Sequence, residues 1–133
     1  MAYVHSDGTL ALDPSEEVFP AIGQHCGAYL RRVPDGEPGG RRLWISWQIP
    51  VLRANPSLAP VGEGLVPLKL ADGVAPGRLH FGELGYYREA RPSYEDFLKA
   101  REAGHIPGTV RFQVSLPTPL AVVMPFCRQP DAQ

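Results

Sequence analysis

Strand-type and helix-type apolar patterns alternate along this chain, and that alternation restricts its fold more than any other feature. The order reads strand, helix, strand, helix, irregular excursion, helix, strand, helix. Strands separated by helices pair in parallel through right-handed crossovers, and a parallel sheet must be covered on both faces. The clearest strand is VRFQVSL at 110–116. There Val110, Phe112, Val114 and Leu116 alternate with Arg111, Gln113 and Ser115. Pro117 stops it, and Thr118 as N-cap with Pro119 at the first helical position predicts a helix over 120–126.

The other elements follow from similar signals. Residues 2–5 read as a short strand, with Asp7-Gly8 as a turn after it. Asp13 as N-cap, Pro14 and Glu16 open a helix whose apolar face is Val18, Phe19, Ile22 and Cys26. Gly27 is expected to close it in a left-handed conformation, and Pro20 predicts a kink or a shortened helix. Residues 29–33 read as a second strand stopped by Pro34, followed by a loop over 35–40. Trp44, Trp47, Gln48, Val51 and Leu52 have helical spacing, so a helix is expected over 41–48, ended or bent by Pro50. The excursion, about 53–91, is expected to hold a hairpin: Val66, Leu68 and Leu70 alternate, Asp72-Gly73 turns, and 78–81 returns. Ser93 as cap and Asp96 at the capping-box position open a helix with Tyr94, Phe97, Leu98 and Arg101 on one face, ended by Gly104 and Pro107.

Composition sets the class. The 133 residues suffice for a single domain with a hydrophobic core. A net charge of −1 gives no electrostatic case for nucleic acid or anionic lipid. No apolar run approaches the ~20 residues of a membrane span, and residues 1–5 lack the pattern of a signal peptide. Cys26 and Cys127 stand in no metal-type spacing, which suits reduced thiols in a cytoplasmic protein. Glycine (14) and proline (15) are abundant but not periodic, so they punctuate many short elements rather than build a repeat. Three parallel strands leave two open edges. A closed eight-stranded barrel takes roughly 250 residues, so the expectation is an arc of about one third of such a barrel.

Two segments carry chemistry. In RRVPDGEPGGR at 31–41 a strand ends and its loop presents Asp35 and Glu37 beside glycines that permit close backbone approach. Ligands sit at the carboxyl ends of parallel strands. There, Glu37 or Asp35 can hold a substrate ammonium group or act as acid or base; two solvated acids in a turn are the alternative. In the segment at 111–119, Arg111, Gln113 and Ser115 are expected to point into the barrel, where polar groups need partners. Thr118 and the helix N-terminus after it offer donors to a ligand, or Thr118 is a cap alone.

The same segments carry a resemblance. PDGEPGGR at 34–41, then WISWQ at 44–48, LGY at 84–86, SYEDF at 93–97 and VRFQVSLPTPL at 110–120 resemble, in order, bacterial and fungal proteins related to cobalamin-independent methionine synthase and uroporphyrinogen decarboxylase. The resemblance implies an α/β fold that is part of a TIM-type (β/α)8 barrel: its first three βα units with the excursion inserted. It also implies that Glu37 matches the glutamate that helps hold the amino-acid substrate, and that Gly8-Thr9 stands where methionine synthases have a Gly-Ser pair contacting the substrate carboxylate. Trp44 lies in the most specific of these motifs and joins Glu37, Asp35, Gln113, Ser115 and Thr118 as an expected substrate-binding residue. The relatives' catalytic zinc is held by later strands, so no cofactor is expected in this chain, and His5, His25, His80 and His105 read as surface or loop residues.

Two functions follow as expectations. The first is an N-terminal portion of a methyltransferase-like barrel that contributes part of a pocket for a small amino-acid or thiol-type substrate and is inactive alone. The second is a non-catalytic module that self-associates or completes a barrel with a partner chain through its open edges and Trp44, Trp47, Phe112 and Phe126.

Overall fold

Short apolar stretches cut by proline and glycine give short elements: among the described residues the four regular strands are three residues each. The computed structural model describes residues 3–12, 14–43 and 46–128, so the predicted N-cap Asp13 lies outside the described residues. The chain is a mixed α/β protein whose contacts divide it into two compact units, Met1–Trp44 with Gly85–Leu116, and Ile45–Leu84 with Pro117–Gln133.

In the first unit, β1 (Arg32–Pro34) pairs in parallel with β4 (Arg111–Gln113), Val33 opposite Phe112. On the other side of β1, Val4 bridges Leu30 and Thr9 bridges Gly36, both in parallel. Three segments therefore lie side by side in chain order, all pointing the same way. The expected turn at Asp7-Gly8 is only a bend, because the segment stays alongside β1 as far as Leu10, whose N–H donates to the Gly36 carbonyl at 3.0 Å.

Helices α1 (Ser15–Cys26) and α3 (Tyr86–Glu102) cover this sheet. Their apolar stripes meet in a core of Phe19, Leu30, Val33, Phe97, Ala100, Ile106 and Val110. Phe19 and Phe97 pack edge to face at 5.7 Å, and Phe112 packs at 5.6 Å from Phe97. Burying each such ring contributes about 1.5–3 kcal/mol. The inward side of the predicted alternation thus holds at Val110 and Phe112, but Val114 and Leu116 are 46% and 61% exposed.

Local expectations fare unevenly in this unit. Helix α1 runs twelve residues with Pro20 inside it, so it is not shortened there. Gly27 is right-handed (φ −50°) because the chain runs on into a 3-10 turn, Gly27–Tyr29, which also displaces the start of the second strand. Pro34 stops that strand as expected, as its last residue, opposite Gln113. Helix α3 starts seven residues before Ser93, after Gly85 in a left-handed conformation (φ 90°). Pro92 and Ser93 are interior, and the buried Ser93 hydroxyl donates back to the Glu89 carbonyl at 3.3 Å instead of capping. Bonding to the i−4 carbonyl is the alternative open to a serine inside a helix.

In the second unit, α2 (Ile49–Arg53) carries Pro50 in its first turn, where a missing N–H costs nothing. Proline therefore opens a helix where one was expected to end. The described parts of the expected 41–48 helix are 3-10 turns: Gly39–Leu43, which belongs to the first unit, and Ser46–Gln48 in this one. The hairpin exists, but β3 (Leu68–Leu70) pairs antiparallel with the upstream β2 (Leu58–Pro60), and Pro76–Arg78 is a 3-10 turn. The Arg53 guanidinium donates to the Gly64 and Leu65 carbonyls at 3.3 and 3.1 Å, which ties down the hairpin loop. Helix α4 (Pro119–Phe126) begins as read from the sequence, with the Thr118 hydroxyl accepting from the Ala121 N–H at 3.2 Å. Leu52, Leu68 and Phe126 form this unit's core. No helix among the described residues is long and apolar enough to cross a membrane.

Candidate functional site

At the carboxyl ends of the three parallel segments the chain places Gly8, Thr9, Glu37, Gln113 and Ser115. The Thr9 hydroxyl donates to Glu37 Oε2 at 2.5 Å. Gln113 Nε2 donates to the Ser6 carbonyl at 2.9 Å, and the Ser115 hydroxyl to the Asp7 carbonyl at 2.7 Å. Adjacent strands stand about 4.8 Å apart, so neighbours but one in a flat sheet are roughly 10 Å apart. Direct bonds from β4 and the residues after it to positions 6 and 7, across β1, require the three segments to curl toward one another at this end.

Gly8 lies at the middle of the cluster. A Cβ there would stand 2.8 Å from Ser115 Oγ and 3.2 Å from Glu37 Oε1. The bare backbone lets a hydroxyl and a carboxylate share one small space. Glu37 itself is half-buried and has φ 55°, left-handed for a residue with a side chain. That conformation costs on the order of 1–2 kcal/mol and persists where the surroundings over-determine it. The preceding Gly36 (φ 81°) has no room for a side chain either, since a Cβ would lie 2.9 Å from Val18 Cγ2. The backbone enters the loop tightly against α1, and Glu37 is presented beyond it.

Asp35 faces the other way. It is buried, with Oδ1 accepting from the Glu37 N–H at 3.1 Å and Oδ2 paired to Arg41 Nη2 at 2.6 Å. Arg41 also donates to the Ser93 hydroxyl at 3.4 Å. Two buried polar atoms have no partner among the described residues, Gln113 Oε1 and Arg41 Nε. An unpaired carbonyl acceptor and the Glu37 carboxylate, both at one end of the sheet, suit a ligand group that donates N–H or O–H.

Of the residues expected at the site, Glu37, Gln113 and Ser115 are brought to the same end of the first unit's sheet. Asp35 lies beneath them with both oxygens engaged. Thr118 belongs to the second unit, where it caps α4. Trp44 lies outside the described residues. Sequence reasoning missed Arg41 as the partner of Asp35, and Ser93 as a partner of Arg41. The arginine stands in the PDGEPGGR motif, but a bond across six residues leaves no periodic signal, and Ser93 reads as a cap.

Zinc of the methionine synthase type needs donors converging on one point. Among the described residues no three His, Cys, Asp or Glu side chains are placed to hold a metal, so the donor set does not fit. Neither cysteine is in a disulfide. Comparison with protein-family models, curated proteins and solved structures gives no match.

Proposed function

We propose that the first unit is the opening arc of a TIM-type barrel of the cobalamin-independent methionine synthase and uroporphyrinogen decarboxylase-like class, and that it supplies part of a pocket for a small amino-acid or thiol-type substrate. The observation that supports this most is the gathering of Thr9, Glu37 and Ser115 at the carboxyl ends of three parallel segments adjacent in chain order. That is the end at which parallel α/β barrels bind ligands. Glu37 is the group that takes the substrate's ammonium, with Gln113 Oε1 as a second acceptor. In the relatives that this chain resembles the zinc ligands come from later strands, so this arc binds substrate and does not itself transfer a methyl group.

Nuclear magnetic resonance titration with L-homocysteine and L-methionine tests this. Amide shifts are expected at Gly8, Glu37 and Ser115, with affinity at least tenfold weaker in Glu37→Gln. Shifts elsewhere, or none at millimolar ligand, overturn it.

A second reading is favoured by one observation. Beyond β4 no further strand pairs among the described residues, and Val114 and Leu116 just after it are exposed. An open sheet margin with apolar side chains is a template for another strand, so the chain is alternatively an assembly module that closes its sheet with a second chain. Light scattering on the purified chain separates the two: a concentration-independent monomer argues against assembly, and a defined oligomer supports it.

A further inference from the structure

We infer that Arg41, anchored on Ser93 of α3, is a positioning residue that sets the direction of the Glu37 carboxylate; the inference rests on Glu37 being the ligand-binding group proposed above. A glutamate in a left-handed conformation returns to an extended or right-handed one unless it is held. Two contacts hold it: Thr9 on its side chain and Asp35 on its N–H. Arg41 fixes the other oxygen, Oδ2, and so helps hold Asp35 in the orientation that aims Oδ1 at that N–H. The Asp35 and Arg41 side chains are 7% and 12% exposed, so water offers little substitute for the pair. Arg41 lies in the 3-10 turn Gly39–Leu43, whose Gly39 and Gly40 leave open space where a Cβ would stand. Its guanidinium is further supported by Ser93, whose hydroxyl is itself bonded to the Glu89 carbonyl. The chain of contacts runs from α3 through Ser93, Arg41 and Asp35 to the backbone of Glu37. Arg41 touches neither the Glu37 side chain nor the space beside Gly8 in any of these contacts.

The experiment is residue-resolved hydrogen exchange on the full chain, comparing wild type with Arg41→Met, Arg41→Lys and Ser93→Ala. Arg41→Met is expected to speed exchange of the Glu37 amide at least tenfold, while Val33, Phe97 and Val110 amides stay within a factor of two. Arg41→Lys is expected to restore part of the protection, and Ser93→Ala to give a smaller loss than Arg41→Met. Unchanged exchange at Glu37 in a folded Arg41→Met overturns the inference, as does a uniform acceleration across the core. Where Arg41→Met does not fold, Asp35→Asn tests the same link, since it keeps an Oδ1 acceptor and removes the charge that Arg41 grips: faster exchange at Glu37 alone supports the role, and unchanged exchange overturns it. The amide readout needs no ligand. If protection follows Arg41 while wild type fails to bind L-homocysteine or L-methionine, the pocket reading fails and the positioning role stands.

Discussion

The two units solve the problem of building a core from short elements on different scales. The first joins β1 at 32–34 to β4 at 111–113 and buries aromatic rings between two helices and a parallel sheet. The second combines a local hairpin over 58–70 and a five-residue helix with a distant segment: Leu68 bridges Cys127 in parallel, and Phe126 joins Leu52 and Leu68 in a smaller core. In the first the distant segments are strands of one parallel sheet, and the candidate site is built on their ends. A ligand-binding group needs a rigid support, and three strand ends tied by side-chain bonds provide one.

The strongest way to break this contrast is Phe97→Ala. Removing a buried ring that touches Phe19 and Phe112 is expected to cost about 3–5 kcal/mol, a large share of the ~5–15 kcal/mol that holds a typical domain. Urea unfolding followed by near-ultraviolet circular dichroism checks it; a loss under about 1 kcal/mol, the size of an ordinary surface or cap change, denies the first core its role. Next comes Leu52→Ala in the second core, expected to cost about 2–3 kcal/mol. Hydrogen exchange should show amides of 58–60 and 68–70 losing protection while those of 32–34 and 111–113 keep theirs. Equal loss in both sets would mean that the two units open as one.

Glu37→Gly sharpens the comparison within the first unit. Glycine adopts φ 55° without strain, so the variant should be more stable by about 1 kcal/mol and lose ligand-induced shifts. A lower melting temperature would show that the Thr9 bond outweighs the strain. Thr118→Ala removes the side-chain cap of α4 and should cost about 1 kcal/mol, read as fraying of the Ala121 amide.

The smallest effect is in pH. Burial pushes the Cys127 thiol above its ordinary range. The unfolded thiol therefore ionises first as pH rises. The associated stability is whole below the unfolded thiol's pKa and is lost as pH climbs through the folded one. Alkylation of Cys127 should lag that of an exposed thiol between about pH 8 and 9; equal rates would refute the burial. Lys99 moves in the same upward direction through its hydrogen bond to Asp96, with that carboxylate's charge adding to it.

Signals spanning four residues or fewer were legible. Thr118-Pro119 marks the start of α4, and the alternation at Leu68 and Leu70 marks a strand. The parallel relation of β1 and β4 was also legible, because a helix between two strands leaves few other connections. Signals with two structural meanings misled. Pro92-Ser93 with Asp96 reads as a helix start, yet the preceding YYREAR is helical too, and the helix continues through the proline. Pro50 reads as a stop or as a first-turn residue with equal right. Asp72-Gly73 points to a strand partner for β3 downstream, and it is a real turn, but it does not join two strands. At the site, Glu37, Gln113 and Ser115 were visible from loop and face. The role of Asp35 was not, because its pairing with Arg41 six residues on leaves no periodic signal, and the Ser93 contact that supports Arg41 comes from a distant helix.

The register of β1 against β4 has a consequence for biosynthesis. At ribosomal speeds of roughly 5–20 residues per second, β1 waits on the order of 4–16 s for its partner to be made. Throughout that interval Phe19 and Val33 have neither Phe97 nor Phe112 to cover them. The nascent first half is therefore the stage at which this polypeptide is most prone to be captured by a chaperone.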